Sequence, residues 1–246
     1  MSEREEAPVC TVDGCTVPAE TAAAQTVAAA NVPVHELSVV SDAICPWCYV
    51  GKRRLEKALQ LASDAARFKV VWRPFELNPD MPKEGMERKL YRMRKFGSLE
   101  RSQQLDAQLT EAAKGDGLSF RYDLITRTPN TLAAHRLIWL ASRDAVLQDR
   151  VVETLFRAYF TEGRNIGDIA ILADLAAEAG IDRAKALAFL QSEAGTAEVR
   201  ADEGVAQRAG LSGVPTFVLD GRVLFSGAQH AELIARALSH SILAEA

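Results

Sequence analysis

Hydrophobic and polar positions alternate through Val34-His35-Glu36-Leu37-Ser38-Val39-Val40, and the run closes on Ser41-Asp42, residues suited to starting a helix. This pattern predicts a strand leading into a helix. From Tyr49 to Ala62, Leu55, Ala58, Leu59 and Ala62 recur at helical spacing, which leaves Lys52, Arg53, Arg54 and Lys57 for the solvent side. Phe68-Lys69-Val70-Val71-Trp72-Arg73-Pro74 reads as a second strand, closed by Pro74, Pro79 and Pro82. From Gly85 to about Gly210 the period is almost entirely helical. Helices are expected near 86–95, 98–114, 130–143, 147–161, 168–179, 183–191 and 195–209, bounded by Gly115, Gly117, Pro129, Gly163 and Gly180. Strands return only at the end, where Pro215 to Leu219 and Arg222 to Ser226 flank Asp220-Gly221, a dipeptide favoured in two-residue hairpin turns. A last helix is expected from about Gln229 to Leu243.

The order is β-α-β, a long helical block, then β-β-α. That is the α/β layout of a thioredoxin-like fold with a large all-helical domain inserted in it. The expected divisions are a tail over 1–33, a first part of the sheet domain over 34–84, the helical insertion over 85–210 and the second part over 211–246. The tail is rich in Ala, Thr, Val and Glu, carries Pro8, Pro18 and Pro33, and has no sustained period.

Composition narrows the function classes. Of 246 residues 48% are hydrophobic and 25% charged, ordinary globular usage that excludes wholesale disorder. With 29 Lys plus Arg against 33 Asp plus Glu, the net charge is −4, and without a long basic stripe nucleic acid is not an expected partner. No apolar run approaches the roughly 20 residues that cross a bilayer. The start Met-Ser-Glu-Arg-Glu-Glu is acidic where a secretory signal is basic and then apolar, so a cytoplasmic location is expected.

The four cysteines form two close pairs, Cys10 with Cys15 and Cys45 with Cys48. In a cytoplasmic chain of this size they point to redox chemistry or metal binding rather than to a disulfide framework. In Cys45-Pro46-Trp47-Cys48 the first cysteine stands where a strand ends and a helix begins, facing unpaired N–H groups and the positive end of the helix dipole. A thiolate is favoured there. Pro46 suits the first helical turn. Cys48, about one turn on, is expected to be the more buried and to resolve a mixed disulfide formed on Cys45. Half of a structural zinc site is the other reading of this spacing. Ser212-Gly213-Val214-Pro215-Thr216-Phe217 puts a proline at a strand start, where it is either plain punctuation or a cis proline that holds the Val214 backbone open to an extended substrate.

Several spaced motifs now agree. Ser41-Asp42-Ala43-Ile44-Cys45-Pro46-Trp47-Cys48-Tyr49-Val50-Gly51-Lys52, Arg73-Pro74-Phe75-Glu76-Leu77-Asn78-Pro79, Arg127-Thr128-Pro129-Asn130-Thr131, Ala134-His135-Arg136 and Gly213-Val214-Pro215 together resemble the FrnE branch of the DsbA-like thioredoxin-fold oxidoreductases. The resemblance covers about residues 34 to 240. It implies a thiol-disulfide oxidoreductase or isomerase acting through Cys45 and Cys48, with a cis bond before Pro215. The related 2-hydroxychromene-2-carboxylate isomerases and kappa-class glutathione transferases share the architecture but typically have serine where Cys45 stands. A glutathione-dependent isomerase or transferase is therefore the alternative enzyme, and a zinc-binding interaction module using both cysteine pairs the alternative without catalysis. The resemblance also implies a pocket above Cys45, with Trp47, Phe75, Asn78, Asn130 and His135 at motif positions. Ser226-Gly227-Ala228-Gln229 resembles the turn that holds the glutamyl end of glutathione in the isomerase branch.

Residue by residue, other readings stand beside these. His135 is either a proton shuttle or a satisfied core histidine, and Asn78 and Asn130 are either substrate contacts or turn caps. The cluster Arg88, Lys89, Arg92, Arg94 and Lys95 is either an acidic partner's docking face or a solvated helix face. No resident cofactor or metal is assigned. Glutathione enters only as a co-substrate, and thioredoxin or glutathione as a recycling partner for thiol or disulfide substrates. In the tail, Asp13-Gly14 favours a turn that brings Cys10 and Cys15 within disulfide reach. The stretch from Cys15 to Val34 spans up to ~60 Å when extended, long enough for a second redox pair to reach Cys45. A four-cysteine metal site and a tail without a role remain the alternatives.

Overall fold

The computed structural model describes residues 34–62 and 67–243. In chain order the elements are β1 (His35–Ser41), α1 (Pro46–Leu61), β2 (Phe68–Pro74), β3 (Met86–Glu87), α2 (Arg88–Phe96), α3 (Leu99–Lys114), β4 (Arg127–Thr128), α4 (Leu132–Leu140), α5 (Ala145–Glu162), α6 (Ile169–Ala179), α7 (Arg183–Gln191), α8 (Thr196–Arg208), β5 (Thr216–Leu219), β6 (Arg222–Ser226) and α9 (Ala231–Leu243). β1 pairs in parallel with β2 and antiparallel with β5, and β5 pairs antiparallel with β6, giving the order β2-β1-β5-β6. With α2 to α8 set aside, strand-helix-strand followed by hairpin-helix remains, as the sequence order predicts.

The main strands bury one face by alternation. Leu37 and Val39 of β1 and Phe217 and Leu219 of β5 are almost wholly buried. Helix boundaries follow local chemistry. Asp144, Asp168 and Asp182 cap α5, α6 and α7 by accepting backbone N–H bonds with their carboxylates. Gly163 ends α5 at φ 69°, where a Cβ would lie 2.5 Å from Cβ of Leu124.

Two expectations are corrected. The sequence reading places strands nowhere between Gly85 and Gly210, yet Met86 pairs with Thr128 and Glu87 with Arg127. Two-residue strands carry no alternation, and a partner so distant in the chain leaves no local signal. The helical spacing leaves Lys52 and Arg54 for the solvent side of α1, yet both are buried. Tertiary ion pairs make that possible: Lys52 Nζ reaches Asp149 at 3.0 Å and Glu153 at 3.4 Å on α5, and Arg54 Nε reaches Asp116 at 2.8 Å.

The insertion is tied to the sheet domain at α1 and β2. Tyr49 stacks on Phe156 of α5 at 5.0 Å between ring centroids, with Phe120 and Phe160 each at 6.2 Å. On β2, the side-chain amide of Gln148 accepts from the Trp72 N–H at 3.0 Å and donates to the Trp72 carbonyl at 3.0 Å, standing in for a neighbouring strand. No helix among the described residues is long and apolar enough to cross a membrane.

Candidate active site

Cys45 is the N-cap residue of α1, in an extended conformation at φ −89° and ψ 111°, and Pro46 opens the helix. Its N–H donates to the Asp42 carbonyl at 2.9 Å, and its own carbonyl accepts from the Cys48 N–H at 3.0 Å. Both cysteines are free thiols with unequal surroundings: Cys45 is 6% exposed and Cys48 0%. Burial pushes the Cys48 thiol well above the ordinary range, and the Cys45 sulfur beside it pushes the same way. The thiol with a path to solvent is thus the one at the helix start, and the second lies beneath it.

The loop before β5 closes over this pair. The Val214–Pro215 peptide is cis. The Val214 carbonyl oxygen lies 3.6 Å from Cys45 Sγ, which donates to it. Pro215 is buried and its carbonyl accepts from the Gly227 N–H at 2.8 Å, fastening the loop to the turn after β6.

Beside the cysteines a cavity of about 280 Å³ opens between α1, α2 and α3, with Ile44, Pro46 and Trp47 on one side. Trp47 is 42% exposed there. The opposite wall carries Arg88, Arg92 and Lys95 on one face of α2, and Tyr122 lies between. Among the described residues no cluster of His, Cys, Asp and Glu converges as metal ligands, and Cys10 and Cys15 lie outside those residues.

The family model of the DSBA-like thioredoxin domain matches residues 36–239, which span the whole of this arrangement. The chain belongs to the DSBA-like thioredoxin family. Its structure is similar to that of a probable DsbA oxidoreductase from Streptomyces coelicolor, with 36% identity, TM-score 0.76, and coverage of 85% of this chain and 90% of that one. The uncharacterized protein YwbO of Bacillus subtilis (strain 168) is 26% identical over 204 residues, 82% of this chain and 95% of its own. The cytosolic disulfide reductase DsbM of Pseudomonas aeruginosa, solved with GSH, shares the fold at TM-score 0.60 and 20% identity, covering 85% of this chain and 98% of that one. The fold is accordingly α/β and thioredoxin-like, interrupted by a helical block.

Within this DSBA-like domain the residues expected in a pocket are dispersed. Cys45, Cys48, Val214 and Pro215 come together, and Trp47 lines the cavity. Asn78 stands one contact behind its wall, its Oδ1 accepting from the Tyr91 hydroxyl at 2.9 Å. Phe75, half-buried, donates its N–H to the Ser41 carbonyl and does not line the cavity. Asn130 is spent on backbone: its Oδ1 accepts from the Leu132 N–H at 3.0 Å in a local turn, and its Nδ2 donates to the Met81 carbonyl at 2.8 Å, joining that turn to the chain before β3. Ser226 Oγ bonds Thr216 Oγ1 at 2.8 Å, and Gln229 Nε2 donates to the Ser226 carbonyl at 3.3 Å. α9 begins only at Ala231, so Ser226 to Gln229 form a loop before the helix, and the N–H groups of Gly227 and Gln229 are already donated within the fold.

His135 lies behind the active-site turn, 2% exposed. Its Nε2 is 3.6 Å from Asp42 Oδ1, an ion-pair contact longer than a hydrogen bond. Asp42, wholly buried, accepts from the N–H groups of Ile44 at 3.3 Å and Leu77 at 2.7 Å, joining the Cys45 turn to the chain after β2. Burial lowers the basicity of His135, but the carboxylates of Asp42, Glu203 and Glu76 outweigh it and raise the imidazole above its ordinary range. Burial, with Glu203 alongside, raises Glu76 in turn. Glu203 and Tyr122 went unnoticed in the sequence because no spacing connects them to Cys45. Arg88, Arg92 and Lys95 did carry a signal, their helical spacing toward one face.

Proposed function

We propose that the protein is a thiol-disulfide oxidoreductase or isomerase that works by exchange through Cys45 and Cys48. The observation carrying this reading is two free thiols one helical turn apart, the outer at the N-cap of α1 against the Val214 carbonyl and the inner fully buried. The Cys45 thiolate attacks one sulfur of a substrate disulfide, which breaks that S–S bond, forms a mixed disulfide and releases one substrate thiolate. Cys48 then loses its proton and attacks Cys45 Sγ. The Cys45–Cys48 disulfide forms, the second substrate thiolate leaves, and two electrons have passed to the substrate. Run in reverse, the same steps oxidise a dithiol.

A cytoplasmic setting with glutathione or a thioredoxin-type dithiol as recycling partner belongs to this reading and is supported by the cytosolic neighbour solved with GSH. Insulin disulfide reduction tests the reading. Cys45→Ser is expected to abolish it, and Cys48→Ser to accumulate a mixed disulfide on Cys45 visible by mass spectrometry. Full activity in Cys45→Ser overturns the assignment.

A further inference from the structure

The cavity beside the cysteines combines apolar flat walls with uncompensated positive charge. Trp47, Phe96, Leu105, Leu109 and Phe160 supply apolar surface. Arg88 at 2.7 Å and Arg92 at 2.5 Å share one carboxylate, Asp106. Lys95, at the exposed end of the face, donates to the Tyr91 hydroxyl at 2.7 Å and has no carboxylate partner among the described residues. Three cations against one anion on the cavity wall leave two positive charges for a ligand to balance. Arg92 is taken far enough from water that burial holds its guanidinium below the ordinary range, against the pull of Asp106. The buried Tyr122 hydroxyl has no hydrogen-bond partner among the described residues, which leaves a donor available in the same recess. Burial first and Asp106 next raise the Tyr122 phenol well above its ordinary range, and Cys45 pushes the same way. A recess of about 280 Å³ is the size for one substituted ring, not for folded polypeptide.

We propose that this cavity receives small disulfides or thiols in which a carboxylate is carried on an aromatic body, the ring against Trp47 and Phe160 and the carboxylate on Arg92 and Lys95. Ile44 and Pro46, the chain neighbours of Cys45, both line the cavity, so a ring lodged there lies next to the residue that carries the attacking sulfur. The assignment rests on the exchange reading above and adds a substrate class to it.

Single-turnover mixing of the reduced protein with two probes tests it: dithiobis(nitrobenzoate), an aromatic disulfide with carboxylates, and dithiodipyridine, an aromatic disulfide that is neutral at neutral pH. Each accepts two electrons from the Cys45–Cys48 dithiol and releases two aromatic thiols. Lys95→Gln is expected to lower the ratio of the two rate constants, carboxylate over neutral, by about tenfold, the loss of one charge-assisted contact. Arg92→Gln is expected to lower the same ratio at least as far, and added salt to compress it in the wild type. Lys89→Gln, on the exposed face of α2, is the control expected to leave the ratio unchanged. A ratio that moves by less than about twofold in both Lys95→Gln and Arg92→Gln overturns the pocket assignment alone. Dithiodipyridine consumption equally fast in Cys45→Ser and wild type overturns the exchange reading instead.

Discussion

A Cβ on Gly51 would stand 3.0 Å from Cγ of Pro215, closer than ordinary van der Waals contact. Gly51 sits inside α1, where alanine is by itself favourable by about 1 kcal/mol. The proline ring is rigid, so relief comes by moving the loop whose Val214 carbonyl faces Cys45. Gly51→Ala is therefore expected to leave the melting temperature within a few degrees of wild type and to lower insulin-reduction turnover by about tenfold, the scale of a small misplacement of reacting groups. Wild-type turnover would show that the Val214 loop does not shape the site.

The buried Cys48 thiol makes the resolving step depend on pH. Its raised pKa leaves little thiolate at neutrality, and the fraction grows with alkalinity. Release of the substrate half of the mixed disulfide is expected to accelerate by about tenfold per pH unit through the neutral range, as quench-flow would follow it. A plateau near neutral pH would contradict this.

His135 provides a stability signature. Its folded pKa lies above the ordinary value of 6.5, so its stabilising contribution is complete below 6.5 and is lost as pH rises through the raised value. The stability advantage of wild type over His135→Gln in urea is expected to shrink as pH rises above 6.5 and through the raised pKa. An advantage that grows with pH would mean that the imidazole is held neutral.

Gln148 bonds both backbone groups of Trp72 with one side chain. Gln148→Leu keeps most of the volume but strands a buried N–H and a buried carbonyl, with an expected loss of about 3 kcal/mol in denaturant unfolding. An unchanged midpoint would show that water reaches this edge of β2.

Much of this was legible locally. Alternation in β1 and Asp220-Gly221 between β5 and β6 act through neighbouring residues, so these elements appear in the sequence close to where they form. The same holds for Cys45 at a strand-to-helix junction with Cys48 one turn on.

Pairings across long chain separations were not legible. β3 against β4, Lys52 buried against α5, and Arg54 against Asp116 depend on partners that no local period announces. The motif residues Trp47, Phe75, Asn130 and His135 look alike in the sequence, yet only Trp47 faces the cavity, because burial and capping are settled by what packs around each one. The sequence by itself determined the order of the helices and the four main strands and the place of Cys45 and Cys48 at a strand-to-helix junction, which rest on periodicity and adjacency. Only the tertiary structure decided that β3 pairs with β4, that Lys52 and Arg54 are buried, and that Arg88, Arg92 and Lys95 line a cavity with Trp47, because those follow from packing among distant segments.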